Sequence, residues 1–149
     1  MTSPCAAAER RQFDFWVGQW DVFATGTNRL VAHSLIEKLY DGCAIRENWM
    51  PLNNAGGGSL SAYEPKAGKW RQTWIDSSGG LGQFEGGLQG SSMVIEGLWP
   101  NAAGPGRDAL VRMTYTPGAD GSVRQSGQQS TDGGKTWHPS FDFTYKSAK

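Results

Sequence analysis

The sequence is poor in the residues from which most protein interiors are built. Leu, Ile, Val and Phe together supply only 25 of its 149 residues. They never approach the run of ~20 apolar residues that a membrane-crossing helix needs. Charge of either sign is not in excess, with 14 basic and 14 acidic residues for a formal net charge of zero. That balance argues against nucleic acid or an anionic membrane surface as a partner captured by bulk field. Cysteine and histidine are scarce too: Cys5, Cys43, His33 and His138 are all there are. With no Cys-x-x-Cys pair and no Cys/His cluster, neither a metal nor another cofactor is implied. The two cysteines are read as thiols of a reducing cytoplasm, Cys43 half-buried at a strand start, with a disulfide between them as the weaker reading. Residues 1–11 place Glu and Arg after three alanines, the reverse of the order in an export signal, and so point to the cytoplasm. No nucleophile elbow, His-Glu-x-x-His pair or phosphate loop is present.

Glycine and aromatics fill the gap. There are 21 Gly, 7 Trp, 4 Tyr and 6 Phe. Low aliphatic content alone would hint at disorder, but disorder also goes with high net charge and few aromatics. The length suits one domain, 1–149, in which residues 1–12 form a disordered or helical arm. Residues 6–12 favour helix, and 13–18 read as a short aromatic helix or turn closed by Gly18.

From Trp20 onward the period is two, interrupted by turn signals about every ten residues. The expected strands are 19–25, 29–40, 43–50, 59–64, 69–76, 82–88, 93–98, 108–116, 122–130 and 136–146. No connection can hold a crossover helix, so the sheet is an antiparallel meander. Closing it removes both exposed edges and encloses an interior. The expected fold is an all-β, roughly ten-stranded antiparallel barrel with a short N-terminal helix.

Alternation then sorts the side chains. Trp70, Gln72, Trp74 and Asp76 share one face, as do Cys43, Ile45, Glu47 and Trp49. Val111, Met113 and Tyr115 oppose Leu110, Arg112 and Thr114. Phe141, Phe143 and Tyr145 oppose Asp142, Thr144 and Lys146. Glu47 and Gln72 therefore fall among inward aromatics, where an unpartnered polar group costs about 1–3 kcal/mol. Either such groups pair internally, Glu47 with Arg112 for example, or they line a pocket for a ligand.

The segments Phe13-Asp14-Phe15-Trp16-Val17-Gly18-Gln19-Trp20-Asp21-Val22, Ile45-Arg46-Glu47-Asn48-Trp49, Trp70-Arg71-Gln72-Thr73-Trp74-Ile75-Asp76, Val123-Arg124-Gln125 and Ser130-Thr131-Asp132-Gly133-Gly134-Lys135-Thr136-Trp137 resemble the bacterial DUF1579 family. The likeness runs from about Phe13 to Tyr145. It implies a calycin-type barrel, akin to lipocalins and fatty-acid-binding proteins, and brings no catalytic residues with it.

The last of these segments also fits an Asp-box, a local device in which an Asp and glycines shape a hairpin over a Trp. A single copy cannot build a propeller, so it is read as a structural hairpin. Trp16, Trp20 and Trp137 are assigned to the core. His33 shares parity with Val31 and Leu35, and an inward His33 would permit a haem-binding, nitrobindin-like barrel. The leading expectation is a binder of a small, partly apolar molecule. Trp49, Trp74 and Tyr63 would supply stacking surface, and Glu47, Gln72, Arg112 and Gln125 would orient polar ends. The rival is an isomerase or cyclase with Glu47 or Asp76 as general acid–base. A third reading is a dimerising, structural barrel packed solid; a homodimer is compatible with the first two as well.

Overall fold

A computed structural model describes residues 3–148 of the chain. Met1, Thr2 and Lys149 lie outside the described residues, and with them the first two positions of the expected N-terminal arm. Ten antiparallel strands close into a barrel: β1 Gly18–Ala24, β2 Leu30–Leu39, β3 Ala44–Pro51, β4 Gly57–Glu64, β5 Lys69–Asp76, β6 Leu81–Gln89, β7 Ser92–Trp99, β8 Ala109–Pro117, β9 Val123–Ser130 and β10 His138–Ser147. Each strand pairs with its sequence neighbours, and β1 meets β10 through the register Trp20↔Ser147 to Ala24↔Phe143. Closure satisfies the backbone donors and acceptors that an open meander would leave at its edges. Among the described residues, no helix is long and apolar enough to cross a membrane.

Turn chemistry sets where the strands reverse. Between β2 and β3 the chain turns through Tyr40, Asp41 and Gly42, with φ of 54°, 59° and 96°. Asp tolerates this left-handed region better than most residues and Gly enters it freely. The hairpin marked by Asp41-Gly42 in the sequence is built on that tolerance.

The N-terminal segment forms no α-helix. Three short 3₁₀ turns, Pro4–Ala6, Ala8–Arg11 and Asp14–Trp16, make a strap that crosses one end of the barrel. Its aromatic side chains enter the interior. Phe13 and Trp16 are almost wholly buried and stack on each other with centroids 4.8 Å apart. Tyr115 and Trp70 present their edges to Phe13, and Tyr145 meets Trp16 edge-on. Full burial of each such ring contributes about 1.5–3 kcal/mol. Polar contacts hold the strap in place. Trp20 Nε1 donates to the Trp16 carbonyl at 2.8 Å, Trp70 Nε1 to Gln12 Oε1 at 3.1 Å, and Arg10 to the Tyr63 carbonyl at 3.2 Å. Lys38 pairs with Asp14.

Cys5 and Cys43 are joined in a disulfide, which corrects the free-thiol reading. The strap lays Cys5 against the β2–β3 turn, with Cα atoms 4.6 Å apart, a distance within the bridging range. A separation of 38 in the chain gave no hint of that approach. One end of the barrel is thus plugged and stapled. The other is ringed by the β1–β2, β3–β4, β5–β6, β7–β8 and β9–β10 connections and stays open.

Candidate functional site

The open end leads into a cavity of about 260 Å³. Its outer wall is aromatic: Trp49, Trp74, Trp99, Phe141 and Phe143, with Phe84 and Met113 beside them. Its deeper wall is polar: Glu47, Gln72, Tyr115 and Gln125. The split follows from strand geometry. Glu47 sits two residues deeper along β3 than Trp49, and Gln72 two deeper along β5 than Trp74, so each pair shares a face at different depths. The interior is not packed solid as the third sequence reading had it.

Hydrogen bonds hold the deep polar groups. Ser59, the cross-strand partner of Glu47, donates from Oγ to Glu47 Oε1 at 2.7 Å. Gln72 Nε2 donates to Ser61 Oγ at 3.1 Å. Gln125 bridges two phenols, donating from Nε2 to Tyr115 OH at 3.1 Å and accepting from Tyr145 OH at 2.8 Å. Tyr115 and Tyr145 hold their protons well above the usual range, first because both are buried and then because the Glu47 charge lies near. Glu47 itself is only 6% exposed. Burial pushes its pKa up to about 7, against the smaller downward pull of the Ser59 hydrogen bond. No family model and no curated protein matches the sequence. The site is therefore read from its own geometry.

Of the residues singled out from the sequence, Glu47, Trp49, Gln72, Trp74 and Gln125 come together in the cavity. Tyr63 does not. It points inward but toward the strapped end, where it packs against Trp70. Arg112 is on the outside of the barrel, as the alternation of β8 requires. Its guanidinium pairs with Glu96 and lies 4.1 Å from the centre of the Trp137 ring. It cannot be the partner of Glu47, which is held by Ser59 instead. Asp76 sits at the rim beside Trp49 and Trp74. It accepts from Trp74 Nε1 at 2.9 Å and from the Ser78 and Gly80 amides at 3.0 and 3.2 Å. Burial alone would raise its pKa; these hydrogen bonds, with one from the Ser78 hydroxyl, outweigh burial and leave it below the ordinary value. Its lone pairs are occupied in shaping the β5–β6 turn, which is a poor start for a general base.

His33 faces out, with its ring Nδ1 2.9 Å from Asp21 Oδ1 and its side chain 51% exposed. The inward residues of β2 are Ala32, Ser34 and Ile36. Ser34 lies between Trp20 and Trp49, its partners in register on the two neighbouring strands. His138 is exposed at the start of β10. Neither imidazole reaches the cavity, so neither can be the axial ligand of a haem there. The Asp-box is a hairpin device, as expected: Asp132 accepts from the Thr136 and Lys135 amides at 2.9 and 3.0 Å, and Ser130 donates to it at 2.7 Å. Trp137 is not core; it lies half-buried beneath that turn, its Nε1 donating to the Gly134 carbonyl at 3.1 Å.

Phe84, Trp99, Met113, Tyr115, Phe141 and Phe143 also line the cavity and were not named as ligand contacts. Parity placed Met113, Tyr115, Phe141 and Phe143 on inward faces. What it could not show is which inward residues face open space and which are covered by the strap.

Proposed function

We propose that the protein binds a small, partly apolar molecule in the open end of its barrel. The observation that carries this reading is the form of the cavity: about 260 Å³, walled by indole and phenyl rings, with a few convergent polar groups at depth. A volume just below the usual ~300–1,000 Å³ favours a compact guest. The Cys5–Cys43 bridge supports an oxidising compartment; the cytoplasmic expectation rests on the composition of residues 1–11 alone.

The test is thermal unfolding of the full chain against a panel of small aromatic and aliphatic compounds. A guest at a hundred times its Kd adds about 2.7 kcal/mol, which for a domain of this size raises Tm by roughly 5–10 °C. Trp74→Ala removes a wall and should abolish that rise. A panel in which no compound raises Tm, and none perturbs tryptophan fluorescence, would overturn the reading.

One observation favours a second reading, an isomerase or cyclase. A buried carboxyl that titrates near neutrality inside an apolar pocket is suited to general acid–base work. Incubation of the bound guest with wild type and with Glu47→Gln decides it. Conversion by the first and not the second supports catalysis; an unchanged guest in both removes it.

A further inference from the structure

We propose that the guest selected by this cavity is an arylalkylamine, its flat ring lying among the tryptophans and its ammonium, on the alkyl chain, seated on the Glu47 carboxyl. The inference rests on the binding reading above and adds the class of ligand.

Charge supplies the first argument. Of the residues lining the cavity, Glu47 is the one acid, and none of the others is Lys, Arg or His. The cations of the surrounding strands are outside: Arg46 pairs with Glu37, Lys69 and Arg71 with Glu85, Arg112 with Glu96 and Arg124 with Asp142, and Lys146 lies over the Phe23 ring. A guest carboxylate would lose its hydration and meet a carboxyl instead of a cation. An ammonium would meet its opposite charge in a site of low polarity, where such a pair is strengthened.

Hydrogen bonding supplies the second. Among the described residues Ser59 alone donates to Glu47, and it donates to Oε1. Gln72 Nε2 donates to Ser61, and Gln125 Nε2 to Tyr115 and to Met113 Sδ. Once Glu47 is ionised, its second oxygen is therefore in want of a donor. An ammonium brings three. The rings supply the third argument. Trp49 lies one strand pitch from Glu47 on the same face, and Trp74 is the cross-strand neighbour of its partner Ser59. Indole faces so placed attract both a flat ring and a cation.

Proton balance gives the proposal a signature. Free Glu47 is largely protonated at pH 6, because burial raises its pKa to about 7. The groups that face it are Ser59, Gln72, Gln125, Tyr115 and Tyr145; the phenols keep their protons in this range, and none of the five carries charge. An incoming ammonium stabilises the carboxylate, so Glu47 gives up its proton to solvent while the amine keeps its own. Binding then releases close to one proton at pH 6.

The experiment is calorimetry of the full chain with tryptamine, tryptophol and indole-3-propanoate, at pH 6 in two buffers of different ionisation enthalpy. The amine should bind about tenfold or more tightly than the alcohol, with the acid weakest. Proton release should approach one for the amine and zero for the alcohol. Glu47→Gln should erase the difference between amine and alcohol while retaining the alcohol. The ranking and proton count in wild type decide the matter even if that variant folds poorly. An acid or alcohol that binds as tightly as the amine, or an amine that binds without proton release, overturns the amine assignment and leaves the binding reading standing. If none of the three binds, the amine assignment falls, and the wider panel above judges the binding reading separately.

Discussion

Glu47 keeps its proton to unusually high pH because burial removes its water and a single hydroxyl, that of Ser59, donates to it in exchange. The consequence for stability has a definite sign. In the unfolded chain the carboxyl ionises near its ordinary 4.5; in the folded chain it ionises near 7. Between those values the unfolded state holds fewer protons, so stability falls as pH rises from about 4.5 and levels off above 7. At roughly 1.4 kcal/mol per pH unit the loss is on the order of 3 kcal/mol. Glu47→Gln removes the titration. Urea unfolding at pH 4.5 and pH 8 should show the variant gaining on wild type by about that amount at the higher pH; a constant gap would show that Glu47 is solvated. At this scale the sequence was readable where alternation met a bulky neighbour. Glu47 and Gln72 were assigned inward because each is flanked by inward rings on its own strand. His33 was read as able to face inward because it shares parity with Val31 and Leu35, but β2 turns Ala32, Ser34 and Ile36 in. Arg112 was offered as a ligand contact against its own parity, and parity prevailed.

Among the elements, the ten strands were legible and the strap was not. Lys69–Asp76 was read with its observed bounds, and the other strands within two residues at each end, because a two-residue period between Gly- and Asp-rich turns leaves little choice. Residues 6–12 have helical composition, yet their position is fixed by contacts distant in sequence: Arg10 to Tyr63, Gln12 to Trp70, Cys5 to Cys43. Tertiary contacts override propensity in a segment too short to hold a helix alone. The disulfide closes a loop of 38 residues. On the chain-entropy account, replacing both cysteines by serine costs about 2–4 kcal/mol, measurable by denaturant unfolding of the double variant. A neutral result would mean that Phe13 and Trp16 hold the strap unaided. At the other end, β9 presents Gly127 beneath Phe141 of β10, its register partner. A Cβ there would lie 2.3 Å from the Phe141 ring. Gly127→Ala must therefore move a cavity wall. It should destabilise by about 1–3 kcal/mol and weaken guest binding in the same thermal-shift measurement.

Taken whole, the barrel divides its labour between its ends. The strapped end contains the densest aromatic packing, Phe13 and Trp16 with Tyr115, Trp70 and Tyr145. The open end carries rings that are only partly buried, among them Trp49, Trp74 and Trp99. Removing a ring from the first leaves a void enclosed on all sides; removing one from the second enlarges a space that already exists. Phe13→Ala should accordingly cost about 3–5 kcal/mol, and Trp74→Ala clearly less. For guest affinity the order should reverse, because Trp74 lines the cavity and Phe13 does not. The two share no ring partner: Phe13 packs on Phe15, Trp16, Trp70 and Tyr115, and Trp74 on Trp99. Their stability losses should then add in the double variant to within about 0.5 kcal/mol. Denaturant unfolding of the two single variants and the double variant, with a guest titration on each, measures both quantities. Additive losses with a reversed affinity order establish that folding and binding are carried by opposite ends. A coupling well beyond that margin would mean that Tyr115, which touches the plug and lines the cavity, transmits one end to the other, and that loosening the strap alters what the barrel binds.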